Sequence, residues 1–73
     1  MAAVAEMDPI EEIGQTAGLI WHFLSEHGTT SVSRLVTGVE APRDLVLQGI
    51  GWLAREEKIA VERTSRSRTI RLR

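Results

Sequence analysis

The amino-acid sequence predicts an α+β fold in which three helices are followed by a two-stranded β-hairpin at the C-terminus. Two stretches, 9–27 and 42–59, carry apolar residues at the three- and four-residue intervals of an α-helix. Residues 58–63 and 68–73 instead alternate between apolar and polar side chains, as a strand with one buried face does. The residues between these strands, 64–67, are all polar, so we expect them to form the hairpin loop.

Length and composition limit the kinds of protein that this chain can be. A chain of 73 residues forms one domain, which buries only about 60% of its unfolded surface. The sequence has no cysteine, which excludes thiolate metal sites, thiol catalysis and redox switching. We expect residues 1–8 to be a disordered leader and residues 9–73 to form the domain. The start has no basic region and no sustained apolar run, which predicts a soluble, cytoplasmic protein without a membrane span.

The formal net charge of −1 conceals a strong asymmetry along the chain. Residues 1–42 contain six acidic residues and one basic residue, a net charge of −5, whereas residues 43–73 contain eight basic and four acidic residues, a net charge of +4. A small domain polarised in this way can orient in the field of a polyanion. The alternative is that the charges only keep the protein soluble.

The first helix has clear start and stop signals. Asp8 suits the N-cap and Pro9 the first helical position, while Gly28 is the usual residue after a helix end. Its main apolar stripe consists of Ile10, Ile13, Ala17, Ile20, Trp21 and Leu24. Leu19 and Phe23 lie off this stripe, so the helix is either covered on two sides or presents these residues to a partner chain.

Two glycines in the first helix, Gly14 and Gly18, are four residues apart and remove side chains from one strip of its surface. Such a strip allows another helix to approach closely. Within one soluble chain this predicts intramolecular packing, and an interface between chains is the alternative.

The middle of the chain predicts a short strand, a short helix and a turn. Residues 29–32 are short and β-branched, which favours a brief strand or an extended connector. Ser31 or Ser33 can cap a second helix over residues 33–37, with Leu35 and Val36 directed inward. Residues 37–41 then form the turn before the third helix, and Val39 is expected to be buried in it.

The stretch 42–59, PRDLVLQGIGWLAREEKI, reads as one long helix around which the other elements are arranged. Pro42 suits its first position, with Ala41 as a poor N-cap, and Asp44 adds a favourable charge to the first turn. At about 100° per residue, its apolar residues cluster on one side, namely Val46, Leu47, Ile50, Leu53 and Ala54. A polar stripe on the other side contains Asp44, Gln48, Gly51 and Arg55. Most of the circumference of this helix should therefore be packed.

Trp52 falls beside Leu45 and Gly49 on the same helical projection, next to the polar stripe. It is therefore either a lid over the first helix or an exposed aromatic side chain. If Trp52 is exposed together with Leu45, or Leu19 together with Phe23, the apolar patch would suit a homodimer or a partner protein.

The predicted core draws on all of these elements. It consists of Ile13, Ala17, Ile20, Leu24, Leu35, Val46, Ile50, Leu53, Ile59, Val61, Ile70 and Leu72. The element order of helix, short strand, helix, helix and hairpin is that of a winged helix-turn-helix domain.

Several segments also resemble a family of small, uncharacterised prokaryotic winged helix-turn-helix proteins. The segments are 13–18 (IGQTAG) with Ile20 and Trp21, then 31–35 (SVSRL), then 51–59 (GWLAREEKI). The resemblance covers nearly the whole chain after Pro9, and the GWLARE block is its most specific part. It implies a fold and transfers no catalytic residues. Winged helices usually bind DNA but also serve as protein-docking modules, so the fold does not decide the function.

The function that we predict is weak, largely sequence-independent binding to double-stranded DNA, as a transcription regulator or a chromatin accessory protein. The third helix would enter the major groove, and the basic wing would reach phosphates or the minor groove. The predicted DNA-binding residues are Arg43, Leu47, Gln48, Gly51, Arg55, Arg66 and Arg68. The alternative is a protein–protein interaction module, a homodimer or a docking adaptor, that binds no DNA and uses Leu19, Phe23, Leu45 and Trp52.

The sequence does not predict an enzyme. His22 and Glu26 are four residues apart and could share a metal ion, but no third ligand follows at a matching spacing. No glycine-rich phosphate loop follows a strand, and the serines and threonines have no organised base near them in the sequence. We therefore expect no cofactor and no metal site.

Overall fold

The computed structural model describes residues 8–73, which form three helices and three strands. In chain order these are α1 (Pro9–His27), β1 (Thr30–Ser31), α2 (Val32–Gly38), α3 (Arg43–Arg55), β2 (Ile59–Arg63) and β3 (Arg68–Leu72). The α+β winged helix-turn-helix fold is therefore confirmed, including the short third strand β1. The predicted leader lies outside the described residues, except for its last residue, Asp8.

Local sequence signals account for the bounds of α1. The carboxylate of Asp8 accepts a hydrogen bond from the backbone N–H of Ile10 at 2.7 Å, which satisfies one of the free donors at the helix start. At the other end, Gly28 has a φ of 75° and its N–H donates to the Leu24 carbonyl at 2.8 Å. A residue with a side chain would be strained at this φ, so a glycine is required here.

In the helix-turn-helix, a serine caps the start of α2 and a buried valine fills the turn. The hydroxyl of Ser31 accepts from the N–H of Arg34 at 3.1 Å and starts α2 one residue earlier than predicted. Val39, with an exposed fraction of 6%, fills the turn between α2 and α3. Because its N–H also donates to the Leu35 carbonyl at 2.9 Å, the turn is anchored to α2 by packing and by a hydrogen bond.

The three strands form an antiparallel sheet in the order β1-β3-β2. Ile70 of the central strand lies opposite Thr30 of β1 on one side and Val61 of β2 on the other. Helices α1 and α2 pack against β3, so Ile70 is fully buried. The sheet closes the side of the core that the helices leave open.

Helices α1 and α3 approach each other closely at Gly49. A Cβ atom on Gly49 would lie 2.8 Å from Cδ1 of Ile20 and 3.3 Å from the backbone nitrogen of Ala17. The prediction that Gly14 and Gly18 permit this approach is wrong. A Cβ on Gly18 would have no neighbour within 4 Å, and one on Gly14 would only touch the Trp52 ring at 3.9 Å.

Most of the predicted core is buried, with one clear exception. The buried members are Ala17, Ile20, Leu24, Leu35, Val46, Ile50, Leu53, Ile59 and Ile70, to which the structure adds Val39. Ile13 and Leu72 are half-buried. Val61 is 43% exposed, so its assignment to the core is wrong. It shares a face with Ile70, but β2 is an edge strand, whereas α1 and α2 pack against the central strand β3.

The third helix is shorter at both ends than the sequence predicts. It begins at Arg43, with Pro42 rather than Ala41 in the N-cap position, and it ends at Arg55 rather than at Ile59. Glu57 takes a left-handed conformation with a φ of 61°, which turns the chain toward β2. The N–H of Glu57 donates to the Ala54 carbonyl and that of Lys58 to the Leu53 carbonyl, both at 3.0 Å. This is a Schellman motif, in which a glutamate occupies the position usually taken by glycine.

Candidate nucleic-acid interface

Four arginines line one groove between α2, the start of α3 and the loop that joins β2 to β3. They are Arg43, Arg63, Arg66 and Arg68, and we call the cleft that they line the basic groove. Its volume is about 450 Å³, and its other lining residues are Val32, Ser33, Val36, Thr64, Ser65 and Ser67. None of these lining residues is acidic. The groove therefore combines positive charge and hydroxyl groups with the apolar side chains of Val32 and Val36.

The wing loop, residues 64–67, is held in shape by the first of its side chains. The hydroxyl of Thr64 accepts from the N–H of Ser67 at 3.1 Å and donates to the Ser67 carbonyl at 3.1 Å. The backbone N–H of Thr64 also donates to the Ser67 carbonyl at 2.8 Å. The loop thus turns without a glycine, and it presents the exposed side chains of Ser65 and Arg66 to the groove.

Two of the groove arginines face each other across the hairpin. Arg63 of β2 lies directly opposite Arg68 of β3, so both side chains are on the same side of the sheet, the side of Ile70. Like charges in directly opposed positions destabilise a strand pair. The acidic residue of this hairpin, Glu62, lies on the other side, where its carboxylate pairs with Arg71 at 3.9 Å.

None of the four groove arginines forms an ion pair with another described residue. Within residues 8–73 the two salt bridges are Arg71–Glu62 and Lys58–Glu56, the latter at 3.8 Å. The positive charge of the groove is thus not neutralised by the part of the chain that the structure describes. It is available to an external anion.

The predicted DNA-binding residues of α3 all lie on its exposed face. Arg43, Leu47, Gln48, Gly51 and Arg55 are exposed, and the side chain of Leu47 is 40% exposed. The sequence pattern places Leu47 on the apolar side of this helix, but in the structure Leu47 does not belong to the buried side. A Cβ on Gly51 would have no neighbour within 4 Å, so the middle of this face is open.

The structure brings together only some of the predicted site residues. Arg43, Arg66 and Arg68 meet in the basic groove, whereas Gln48 and Arg55 lie farther along the exposed face of α3 and do not line it. Sequence reasoning missed Arg63. The available signal was its position in β2, since it follows Ile59 and Val61 at intervals of two and falls on the same side as Arg68.

Of the four residues predicted for a protein interface, Leu19 is exposed and Phe23, Leu45 and Trp52 are half-buried. Leu19 is 48% exposed. The Phe23 ring is half-buried. It is stacked on the His27 ring with a centroid distance of 4.1 Å. It also lies against Gly38, where an added Cβ atom would be 2.5 Å from the ring. Leu45 and Trp52 are also half-buried. Trp52 lies over Gly14 and so covers part of α1, which is the first of the two alternatives predicted for it.

Other features of the described residues bear on the remaining alternatives. No helix within residues 8–73 is both long enough and apolar enough to cross a membrane. Over the same residues, the histidine and carboxylate side chains form no group of three or more that could hold a metal ion.

Two solved structures are similar to this chain. The solution structure of protein BT2368 from Bacteroides thetaiotaomicron has a TM-score of 0.76 and 32% sequence identity, covering 85% of this chain and 76% of that one. The crystal structure of AF1382 from Archaeoglobus fulgidus has a TM-score of 0.59 and covers 96% of this chain and 76% of that one. Its 14% identity makes it evidence for the fold alone.

Sequence comparisons identify the family. The uncharacterised protein MJ1608 of Methanocaldococcus jannaschii is 34% identical over 64 residues, which are 85% of this chain and 91% of that protein. Residues 7–72 match the family described as "Winged helix-turn-helix domain (DUF2582)". Domains of this fold suggest nucleic-acid binding and are typically not enzymes. The chain belongs to the winged helix-turn-helix domain family DUF2582.

Proposed function

We propose that this protein binds double-stranded DNA, weakly and largely independently of sequence, and acts as a transcription regulator or a chromatin accessory protein in the cytoplasm. The observation that carries the proposal is the basic groove. Its arginines are unpaired within residues 8–73, and Arg63 and Arg68 directly oppose each other. An anion between these two side chains relieves their repulsion, and the DNA backbone supplies anions at regular spacing.

The proposed geometry places the exposed face of α3 in the major groove and the wing arginines on the backbone. Arg43 connects the two surfaces, since it begins α3 and also lines the basic groove. Gln48 can pair with adenine through its amide. Asp44 is exposed and repels phosphates, and Gly51 offers no side chain to the bases. Base recognition by hydrogen bonds is therefore poor, and binding depends mainly on charge.

An NMR titration of the protein with a mixed-sequence duplex at low salt tests the proposal. We expect amide shifts over residues 43–55 and 63–68, while residues 10–26 of α1, on the acidic part of the chain, serve as the internal control. If four arginines contact phosphates, log K falls against log salt with a slope of about −3.6, at about −0.9 per contact. If no amide of α3 or the wing shifts, the protein does not bind DNA through this surface.

The second candidate function is self-association through α1. Ile10 and Trp21 are 57% and 41% exposed and lie on the same strip of α1 as Gly14 and Gly18. Leu19, on another side of α1, is also exposed. Exposed aromatic and aliphatic side chains that share a helix face suit an interface between two copies of this chain. Sedimentation of a monomer at high protein concentration would eliminate this candidate, and a dimer dissociated by Trp21→Ala would support it.

The proposal involves no catalysis and no cofactor. The protein's part would be to hold α3 and the wing against DNA, with the sheet and α1 as their support. Loss of DNA binding on charge reversal in the wing, with the fold retained by circular dichroism, would distinguish this role from a docking function that uses other surfaces.

A further inference from the structure

Leu47 is an exposed aliphatic side chain in the middle of the surface that the proposed function places against DNA. Among residues 8–73, the other large apolar side chains of comparable exposure lie elsewhere: Ile10, Leu19 and Trp21 on α1, and Val61 on β2. Leu47 has an exposed fraction of 40% and is the member of this set that lies on α3. An aliphatic side chain exposed at a DNA-binding surface gains free energy only where it meets another apolar group.

The surroundings of Leu47 leave it accessible to the base edges. Residues four apart are neighbours on a helix surface, so Leu47 lies between Arg43 and Gly51. Arg43 lines the basic groove, so in the proposed complex its side chain would contact the DNA backbone. Gly51 has no side chain and is surrounded by open space. The side chain of Leu47 therefore has no bulky neighbour on its C-terminal side. It can approach the floor of a groove more closely than a residue enclosed by long side chains.

The major groove presents one apolar group to such a side chain, the C5 methyl of thymine. The other exposed groups on its base edges are hydrogen-bond donors and acceptors, which lose hydration against leucine without receiving a partner. We propose that Leu47 reads thymine methyl groups and gives otherwise sequence-independent binding a preference for thymine-containing sites. This inference rests on the proposed function. Burial of one methyl group corresponds to about a fourfold gain in affinity.

A duplex in which every thymine is replaced by uracil tests the inference, because uracil lacks the methyl group and keeps the same hydrogen-bonding groups. We expect the wild-type protein to bind the thymine duplex about fourfold more tightly for each methyl that it contacts. The variant Leu47→Ala should lose most of this ratio. Leu47→Met, which replaces leucine by an unbranched apolar side chain of similar size, should retain much of it, and neither variant should change the salt dependence because no charge is altered.

The outcomes separate the inference from the proposed function. If the wild-type protein binds the two duplexes equally and its affinity still depends on salt, the inference about Leu47 is overturned and the proposed function is not. A thymine preference that persists in Leu47→Ala overturns it as well, since the methyl group is then sensed by another residue. Absence of binding to either duplex at low salt overturns the proposed function itself. Amide spectra of both variants check that the exposed position has been changed without loss of the fold.

Discussion

Two glycines of α3, only two residues apart, should respond in opposite ways to the same substitution. Gly49 is buried against α1, and a Cβ on it would lie 2.8 Å from the end of the Ile20 side chain and 3.3 Å from the backbone nitrogen of Ala17. A Cβ on Gly51 would meet nothing within 4 Å. Alanine gains about 1 kcal/mol of helix propensity at either position. At Gly49 it must also displace α1, which costs typically 1–3 kcal/mol.

The difference between the two variants isolates the packing cost, because the propensity gain cancels. We expect Gly51→Ala to stabilise the protein by about 1 kcal/mol and Gly49→Ala to be less stable than Gly51→Ala by about 1–3 kcal/mol. In a domain of this size the difference corresponds to a separation of melting temperatures of at least about 4 °C. Urea unfolding followed by circular dichroism would measure it. Equal stabilisation by the two substitutions would show that α3 does not approach α1 at Gly49 as described.

Three further perturbations test other parts of the structure. Glu57→Gly should stabilise the protein by about 1 kcal/mol, because it removes the strain of a left-handed residue in the Schellman motif, and thermal unfolding should show a higher midpoint. Ile50→Ala should cost about 2–5 kcal/mol, enough to leave so small a domain largely unfolded, which the dispersion of its amide spectrum would report. Replacing Arg66 and Arg68 together by alanine should weaken DNA binding uniformly across sequences and flatten the salt slope by about 1.8, whereas Arg71→Ala, outside the basic groove, should leave it nearly unchanged.

The parts of the fold that could be predicted are those controlled by local chemistry. The Asp8 cap, the Gly28 end and the alternation in β3 each follow from a few neighbouring residues, and the structure has all three. The end of α3 could not be predicted in the same way. Glu57 adopts a conformation that glycine usually takes, and what holds it there is the route of the chain into β2.

Errors in the predicted core and site have a common origin in tertiary structure. Alternation shows that Val61 shares a face with Ile59, but it does not show which strand lies at the edge of the sheet. In the same way, the sequence shows that Gly14 of α1 and Gly49 of α3 lack side chains, but which of the two lies at the close contact between these helices depends on how they cross. Arg63 lines the basic groove because the register of the hairpin places it opposite Arg68, and the sequence pattern of either strand alone does not determine that register.

The opposed arginines of the wing have a consequence for the stability of the free protein. Because Arg63 and Arg68 repel each other beside the hairpin loop, this end of the sheet should be the first to open and the first to exchange its amide hydrogens. An anion held between them would slow that exchange and raise the unfolding temperature, and above its Kd this stabilisation would grow with the logarithm of the anion concentration. Stability and ligand affinity are thus opposed at the same two positions. Evolution toward a more rigid wing, for example by Arg68→Thr, would proceed at the expense of the ligand.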